Sequence, residues 1–235
     1  MIKLVNFLLF VEKIIEYDKE DVDKGEIPLL LYKICSCIRE TYCLSYAIRK
    51  ENNLLLFFKE NLILIKFQGT ELKHLSSDER SQALLLKKAL DKIETLPKND
   101  TDDWLRSTPG IYIRKFNQEA LFIFWLYLEN SKNIAIILNS IFPLELNYFY
   151  NTFNFPNIAK FKSLENLSQF FYIIPINSSK DSSLINFLRS VAEYFPSMLE
   201  RVNLIPLGKI KAPEDKILYI NFQIDKKIIQ IKDKN

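Results

Sequence analysis

Two polar clusters on either side of one predicted helix hold the side chains of this chain that could do chemistry. The first cluster covers residues 69–80 and the second covers residues 107–114. Carboxylates and guanidinium groups placed in this way can cap a helix and pair with one another, or they can meet a charged partner. The side chains concerned are Glu71, Asp78, Glu79, Arg80, Tyr112 and Arg114.

Glycine marks both clusters. The chain has only four glycines, and two of them are Gly69 and Gly110. Glycine is used where the backbone takes a positive φ or approaches another group closely. The clusters are therefore predicted to contain two turns whose backbone is constrained.

Histidine and cysteine offer little to a catalytic or metal site. Cys35, Cys37 and Cys43 are odd in number and lack the spacing of a zinc site, so we expect reduced thiols that serve packing. His74 is the only histidine, and it stands in a polar stretch where a surface position is expected. The residues alone therefore identify no catalytic group and predict no metal.

Composition is that of a globular protein built as one large domain. The chain has 235 residues, of which 48% are hydrophobic and 26% charged, with a net charge of +3. Such a charge permits a nucleic-acid partner without requiring one. No stretch approaches the roughly 20 apolar residues of a membrane span, and the apolar run at residues 4–11 predicts a first strand rather than a signal peptide. We therefore expect no membrane partner and a cytoplasmic location.

Strands and helices alternate along the chain. Periodicity predicts strands at residues 3–11, 53–58, 62–67, 111–114, 133–139, 170–176 and 202–205, and helices at residues 29–45, 77–95, 118–128 and 182–194. Ser77 is predicted to cap the second helix. Residues 217–226 fit a strand or a helix, and residues 140–168 predict an irregular insertion or connection. The alternation predicts an α/β fold with a mostly parallel sheet flanked by helices.

Several of these residues carry a resemblance to a known family. Residues 65–72, 77–80, 87–90, 103–104 and 107–114 resemble the archaeal tRNA (pseudouridine-54 N1)-methyltransferase family. Weaker matches occur at Ser45, Ile48 and Arg49, at residues 132–134, and at residues 204–207. Together the matches extend the resemblance over most of residues 29–227.

The resemblance implies a fold, a reaction and a site. The fold is of the SPOUT type, in which a C-terminal trefoil knot grips S-adenosylmethionine, usually in a homodimer. The reaction is methyl transfer to N1 of a pseudouridine in the T-arm of tRNA, which requires no metal. Leu204, Pro206 and Leu207 would form part of the cofactor wall. The six charged and phenolic side chains of the two clusters would contact RNA or hold the scaffold.

The sequence departs from the motifs that the resemblance assigns to chemistry. The family's Gly-Asp-His-Ile-Gly turn aligns with residues 175–179, which begin with Pro175 and contain no glycine. Its His-Cys-Ile step aligns with Asp215, Lys216 and Ile217, where the acid is a poor substitute for a neutral wall. Its Gly-Arg-x-Asp motif aligns with residues 29–32, which hold no charged side chain. Methyl transfer is therefore expected to be weakened or lost.

Two functions are consistent with these residues. In the first, the chain is a divergent methyltransferase that acts on or binds tRNA and holds S-adenosylmethionine mainly through backbone groups. In the alternative, it is a non-catalytic SPOUT-fold module that binds RNA or a protein. Binding of S-adenosylmethionine distinguishes the two.

Overall fold

A computed structural model describes residues 4–96, 103–129, 133–139, 167–176 and 182–232. The predicted irregular segment therefore lies almost entirely outside the described residues. The eight strands are β1 Val5–Val11, β2 Asn52–Phe58, β3 Ile63–Gln68, β4 Leu105–Thr108, β5 Ile111–Lys115, β6 Asn133–Leu138, β7 Phe170–Pro175 and β8 Val202–Pro206. The α-helices are α1 Lys19–Lys24, α2 Leu29–Tyr42, α3 Glu79–Asp91, α4 Glu119–Glu129, α5 Ser182–Tyr194 and α6 Pro213–Lys232.

All eight strands form one sheet with the order β4-β5-β3-β2-β1-β7-β6-β8. The five strands from β2 to β8 pair in parallel, while β3, β5 and β4 pair in antiparallel fashion at the other side. The α/β class and the mostly parallel sheet are confirmed. The sheet thus has a parallel half and an antiparallel half, which is a division that the sequence pattern did not predict.

Helices cover both faces of the sheet and bury two apolar cores. One core packs residues of α2, α3 and α6 against the sheet, and includes Leu31, Leu86 and Ile220. The other core packs α4 and α5 against the opposite face, and includes Phe122 and Leu188. Because neighbouring strand residues alternate between these cores, burial at β1, β2 and β7 is nearly continuous, as expected for central strands.

Three features of the predicted elements need correction or completion. Asp78, and not Ser77, caps α3, because its carboxylate accepts from the backbone N–H of Ser81 at 2.7 Å. Strand β4 was not predicted, since its sequence Leu-Arg-Ser-Thr has a single apolar residue. The ambiguous segment near the C-terminus is helical and belongs to α6.

Both predicted glycine turns are constrained, for different reasons. At Gly69 an added Cβ atom would lie 2.3 Å from the carbonyl oxygen of Asn52, so two backbone segments approach closely there. At Gly110 the backbone has a φ of +82°, and an added Cβ atom would lie 2.5 Å from the backbone nitrogen of Leu72. The turn at Gly110 therefore holds the end of β4 and the start of β5 against the segment that follows β3.

Polar bonds fix α6 to the parallel half of the sheet. Asn52 of β2 donates to the carbonyl of Thr41 at 2.8 Å and to the side chain of Asn221 at 3.1 Å. Arg49 forms a bidentate pair with Asp225, with N–O distances of 2.9 and 2.7 Å. These contacts join β2, α2 and α6, so the position of the C-terminal helix is set by the segment at residues 41–52.

Candidate functional site

The carboxyl ends of the parallel strands lie together at one edge of the sheet. Past the strand ends, the backbone N–H of Ile176 donates to the carbonyl of Phe10 at 3.2 Å. The backbone N–H of Leu207 donates to the carbonyl of Leu138 at 3.3 Å. Open α/β sheets bind their ligands at this edge, which makes it the first candidate for a site. We call it the carboxyl edge, and it comprises residues 138–139, 175–176, 206–210 and 213–216.

A buried lysine lies at the carboxyl edge. The side chain of Lys216, in the first turn of α6, is 0% exposed. Its ammonium group donates to the side-chain oxygen of Asn139, the residue that follows β6. The preceding residue, Asp215, is exposed. The sequence analysis gave weight to Asp215 in the aligned His-Cys-Ile motif. The structure instead buries Lys216 and leaves Asp215 exposed.

The three residues predicted for the cofactor wall occupy two kinds of position. Leu204 is fully buried within β8 and belongs to the core beneath α4 and α5. Pro206 ends β8, and Leu207 packs against the opposite core beside the end of β6. The structure therefore brings Pro206 and Leu207, but not the Leu204 side chain, to the carboxyl edge. Their predicted role stays a prediction.

Two features of the carboxyl edge, in the part that the structure describes, disfavour a bound sulfonium. S-adenosylmethionine carries a permanent positive charge on sulfur, and like charges repel most strongly where water is excluded. The ammonium of Lys216 is buried at this edge, and Pro175 ends the central strand β7 without a backbone N–H to donate. Residues 177–179, which complete the aligned turn, lie outside the described residues.

A groove of about 580 Å³ adjoins the carboxyl edge. Two exposed lysines precede α6 on one side of it, and partly exposed apolar side chains of α6 form the other. Its lining consists of Lys209, Ile210, Lys211, Asp215, Leu218, Tyr219 and Phe222. The groove is large enough for a nucleotide or for the side chains of a docked protein.

The antiparallel half of the sheet brings part of the first polar cluster to part of the second. The hydroxyl of Tyr112 donates to Glu71, and the other carboxylate oxygen of Glu71 accepts from Gln68 at 2.7 Å. The bond to Glu71 is the main cause that raises the pKa of Tyr112. Because Tyr112 stands between buried Ile111 and Ile113, its ring lies on the opposite face of the sheet from α3.

Cations and aromatic rings meet on the same face as Tyr112. The ammonium of Lys66 lies 4.6 Å from the ring centre of Trp104 and 5.3 Å from that of Tyr112. Arg106 pairs with Tyr112 in the β4–β5 register, and its guanidinium offsets a small part of the rise in the phenol pKa that the bond to Glu71 causes. We call Lys66, Trp104, Arg106 and Tyr112, with Glu71, the cation–aromatic cluster. Sequence reasoning missed Lys66, Trp104 and Arg106 as members, because strand β4, which pairs with β5 beside them, was not predicted.

The other predicted residues lie apart from this cluster. Asp78 caps α3, and bonds from Ser76 and Ser81 hold its pKa below the usual value. Arg80 pairs with Asp23 of α1 at 2.7 Å. Burial raises the pKa of Glu79. These three side chains belong to the helix that covers the face opposite Tyr112, and their contacts support the structural interpretation of a helix cap with ion pairs.

Arg114 is also removed from the surface. Its side chain is 8% exposed, and the guanidinium lies 4.7 Å from the ring centre of Phe116. An arginine held in this way stabilises the fold around β5 rather than reaching outward to a partner. Of the six residues singled out from the sequence, Tyr112 and Glu71 alone form a shared surface cluster.

The cysteines and the histidine occupy positions consistent with structural roles. Cys35 and Cys37 are buried in α2, and burial raises the pKa of Cys35 to about 12 and that of Cys37 well above its usual value. Thiols of this kind are unreactive near neutral pH. His74 is exposed, with a φ of 65°. Among the described residues, no group of three or more His, Cys, Asp or Glu side chains could hold a metal ion.

Comparisons with known proteins match the first half of this architecture. Residues 30–138, from α2 to the end of β6, match a family model described as "Putative SAM-dependent RNA methyltransferase". The tRNA (pseudouridine(54)-N(1))-methyltransferase of Methanocaldococcus jannaschii is 40% identical over 113 residues, which cover 47% of this chain and 52% of that protein. The resemblance predicted from the sequence is confirmed.

Further relatives carry the same name. The protein of Methanococcus maripaludis is 34% identical over 120 residues, covering 45% of this chain and 54% of its own length. That of Methanosarcina acetivorans is 38% identical over 91 residues, which cover 37% of this chain and 40% of that protein. The chain therefore spans about half or less of the length of these relatives. The cation–aromatic cluster lies inside the residues that match the family model, whereas β7, β8 and α6 lie outside them.

In the parts of the chain that the structure describes, every helix is too short or too polar to span a lipid bilayer.

Proposed function

We propose that this chain is a divergent relative of the S-adenosylmethionine-dependent RNA pseudouridine N1-methyltransferases that binds the T-arm of tRNA, with weakened or lost methyl transfer. The proposal includes the SPOUT-type trefoil knot and a homodimer, both implied by the resemblance. One observation carries it. The segment that matches the family contains two constrained turns and the partly exposed cation–aromatic cluster, while β7, β8 and α6, which supply most of the carboxyl edge, lie beyond it.

The cation–aromatic cluster supports RNA as the partner. Lysine and arginine side chains neutralise phosphates, and aromatic rings stack on unpaired bases. Lys66, Arg106, Trp104 and Tyr112 supply both kinds of group on one face of the sheet. Glu71, bonded to Tyr112 and Gln68, holds the phenol in place and offers an acceptor for base edges. Such a surface suits a folded RNA with exposed bases, as found in a tRNA loop.

The carboxyl edge supports the loss of methyl transfer. A cofactor that is bound mainly through backbone groups needs free N–H donors and close approach at the strand ends. Pro175 removes one donor at the end of β7, and the next N–H, that of Ile176, is used by the carbonyl of Phe10. The described part of the central strand thus ends without a free amide for a ligand.

A second candidate is a module that binds a protein. It is favoured by exposed apolar side chains on α6, where Leu218 is 49%, Phe222 58% and Ile229 59% exposed. Apolar side chains that repeat along one helix in this way commonly meet another protein surface. The same stripe is the natural place for the second copy in the proposed homodimer.

The RNA proposal predicts an unequal effect of two matched charge changes. Arg106→Gln removes a cation of the cluster, and we expect it to weaken binding of a fluorescent T-arm hairpin about tenfold and to reduce the salt dependence by about one counterion. Arg189→Gln makes the same charge change on α5, at a residue that is not a member of the cluster, and should leave both quantities within about twofold of the parent protein. Fluorescence anisotropy at several salt concentrations measures both.

Two results would contradict the proposal for this surface. Equal weakening by Arg106→Gln and Arg189→Gln would mean that net charge, and not the cluster, attracts the RNA. Absence of hairpin binding by the parent protein, together with a dimer or heteromer that depends on Phe222, would favour the protein-binding module.

A further inference from the structure

We infer that Lys216 closes the carboxyl edge from within, so that its side chain takes the place that a cationic adenosyl cofactor would otherwise fill. The inference rests on the proposed function, since it concerns the reason for the weakened methyl transfer. It adds a specific residue and a specific ligand property, the positive charge on sulfur, that the comparisons leave unassigned.

The location of Lys216 is unfavourable unless the side chain has a purpose there. Lysine is almost never fully buried, because its ammonium loses hydration. A cation in the first turn of a helix also faces the positive end of the helix dipole. Glu214 and Asp215, in the same turn, offset part of that repulsion. Neither helix formation nor apolar packing therefore explains why α6 turns a lysine inward at this position.

One contact of Lys216 shows what the inward orientation achieves. Its ammonium bonds to Asn139, which directly follows β6, and the neighbouring Leu138 carbonyl accepts from Leu207. The four-carbon stem therefore runs from α6 to the point where β6 and β8 end. These strand ends form the edge at which α/β sheets receive ligands. The lysine thus joins α6 to the strand ends across the candidate site.

The charge of Lys216 makes the closure selective. A buried ammonium repels the sulfonium of S-adenosylmethionine but does not repel the neutral thioether of S-adenosylhomocysteine. The two ligands differ by one methyl group and one charge, so they form a matched pair of probes. If Lys216 closes the edge, removing its charge should raise the affinity for S-adenosylmethionine more than the affinity for S-adenosylhomocysteine.

Calorimetric titration of four proteins with both ligands tests this inference. The proteins are the parent chain, Lys216→Met, Lys216→Ala and the control Lys226→Met, which removes an exposed lysine further along α6 and outside the groove lining. We expect Lys216→Met and Lys216→Ala to bind S-adenosylmethionine at least about tenfold more tightly than the parent, with a smaller gain for S-adenosylhomocysteine. Lys226→Met should behave as the parent does. Melting curves with and without ligand confirm that each variant is folded and report binding independently.

The inference is overturned if the parent chain binds S-adenosylmethionine at micromolar concentration. It is also overturned if a folded Lys216 variant gains no affinity, or if Lys226→Met gains as much. Lys216→Met keeps most of the buried stem, so it remains a test if Lys216→Ala does not fold. Hairpin binding is measured without cofactor, so failure of this inference leaves the RNA proposal standing, and failure of the RNA proposal leaves this titration interpretable.

Discussion

Replacing Gly110 by alanine is expected to lower the free energy of unfolding by about 4 kcal/mol, which is a large fraction of the stability of a protein of this kind. Two causes act together. The φ of +82° is unfavourable for any residue with a Cβ atom, and that atom would lie 2.5 Å from the nitrogen and 2.6 Å from the Cα of Leu72. Both close atoms belong to the backbone of Leu72. The clash is therefore relieved only if the β4–β5 turn moves away from the segment after β3.

Gly25 provides a matched control for this prediction. Its φ of +76° is close to that of Gly110, yet an added Cβ atom would meet nothing within 4 Å. Gly25→Ala should therefore lower the free energy of unfolding by only about 1 kcal/mol, because only the unfavourable φ contributes. Urea unfolding followed by circular dichroism gives both values. Equal losses of unfolding free energy in the two variants would show that Gly110 is needed for its positive φ and not for the close approach to Leu72.

Replacing Tyr42 by phenylalanine is expected to lower the free energy of unfolding by about 3 kcal/mol. The hydroxyl of this fully buried residue accepts from the backbone N–H of Leu54 at 2.7 Å and donates to the carbonyl of Phe67 at 2.6 Å. Leu54 and Phe67 face each other in the β2–β3 register, so one hydroxyl from α2 links both strands. Phenylalanine keeps the ring but leaves two buried backbone groups without this partner.

Tyr17 is the control for Tyr42. Its buried hydroxyl makes one such bond, donated to the carbonyl of Ala83 at 2.8 Å. Tyr17→Phe should cost about 1 kcal/mol, and the difference between the two variants isolates the bond to the Leu54 N–H. A smaller loss for Tyr42→Phe than for Tyr17→Phe, measured by the same urea unfolding, would contradict the bridging role.

Much of the fold could be predicted from local sequence signals. The apolar runs of β1, β2, β3 and β7 are distinct because central strands are buried on both faces. Strand β4 escaped prediction because Leu105 is its only apolar residue and its pairing with β5 decides its conformation. The cap of α3 was misplaced by one residue because both Ser77 and Asp78 are good caps, and the contacts of Ser76 and Ser81 favour the aspartate.

The candidate site was harder to predict than the fold. Glu71 and Tyr112 are 41 residues apart, and their side chains bond only because the pairing of β3 with β5 brings the segment after β3 close to Tyr112. The burial of Lys216 contradicts the usual preference of lysine for the surface, so no local pattern signals it. An alignment could mark residues 215–217 as divergent, but it could not tell which of the two charged residues faces the interior.

The match to the methyltransferase family covers the antiparallel half of the sheet and only part of the parallel half. The antiparallel half lies within the residues that match the methyltransferase family and carries the proposed RNA surface. The parallel strands β7 and β8 and the helix α6 lie outside that match and carry the altered carboxyl edge. In the proposed function, RNA and cofactor would be bound by separate parts of the chain, so RNA binding could persist while cofactor binding declines.

The central claim is that RNA recognition persists while the cofactor edge is closed. It is tested most directly by titrating a pseudouridine-containing T-arm hairpin into the parent protein, with and without 1 mM S-adenosylmethionine, a concentration at which a ligand of roughly micromolar affinity would saturate its site. The account predicts hairpin binding with a dissociation constant of about 1–10 µM, unchanged by the cofactor and without methylation of the RNA. Binding that requires the cofactor or is tightened by it, or methylated RNA after the titration, would contradict the closed edge, and absence of hairpin binding would contradict the retained RNA surface.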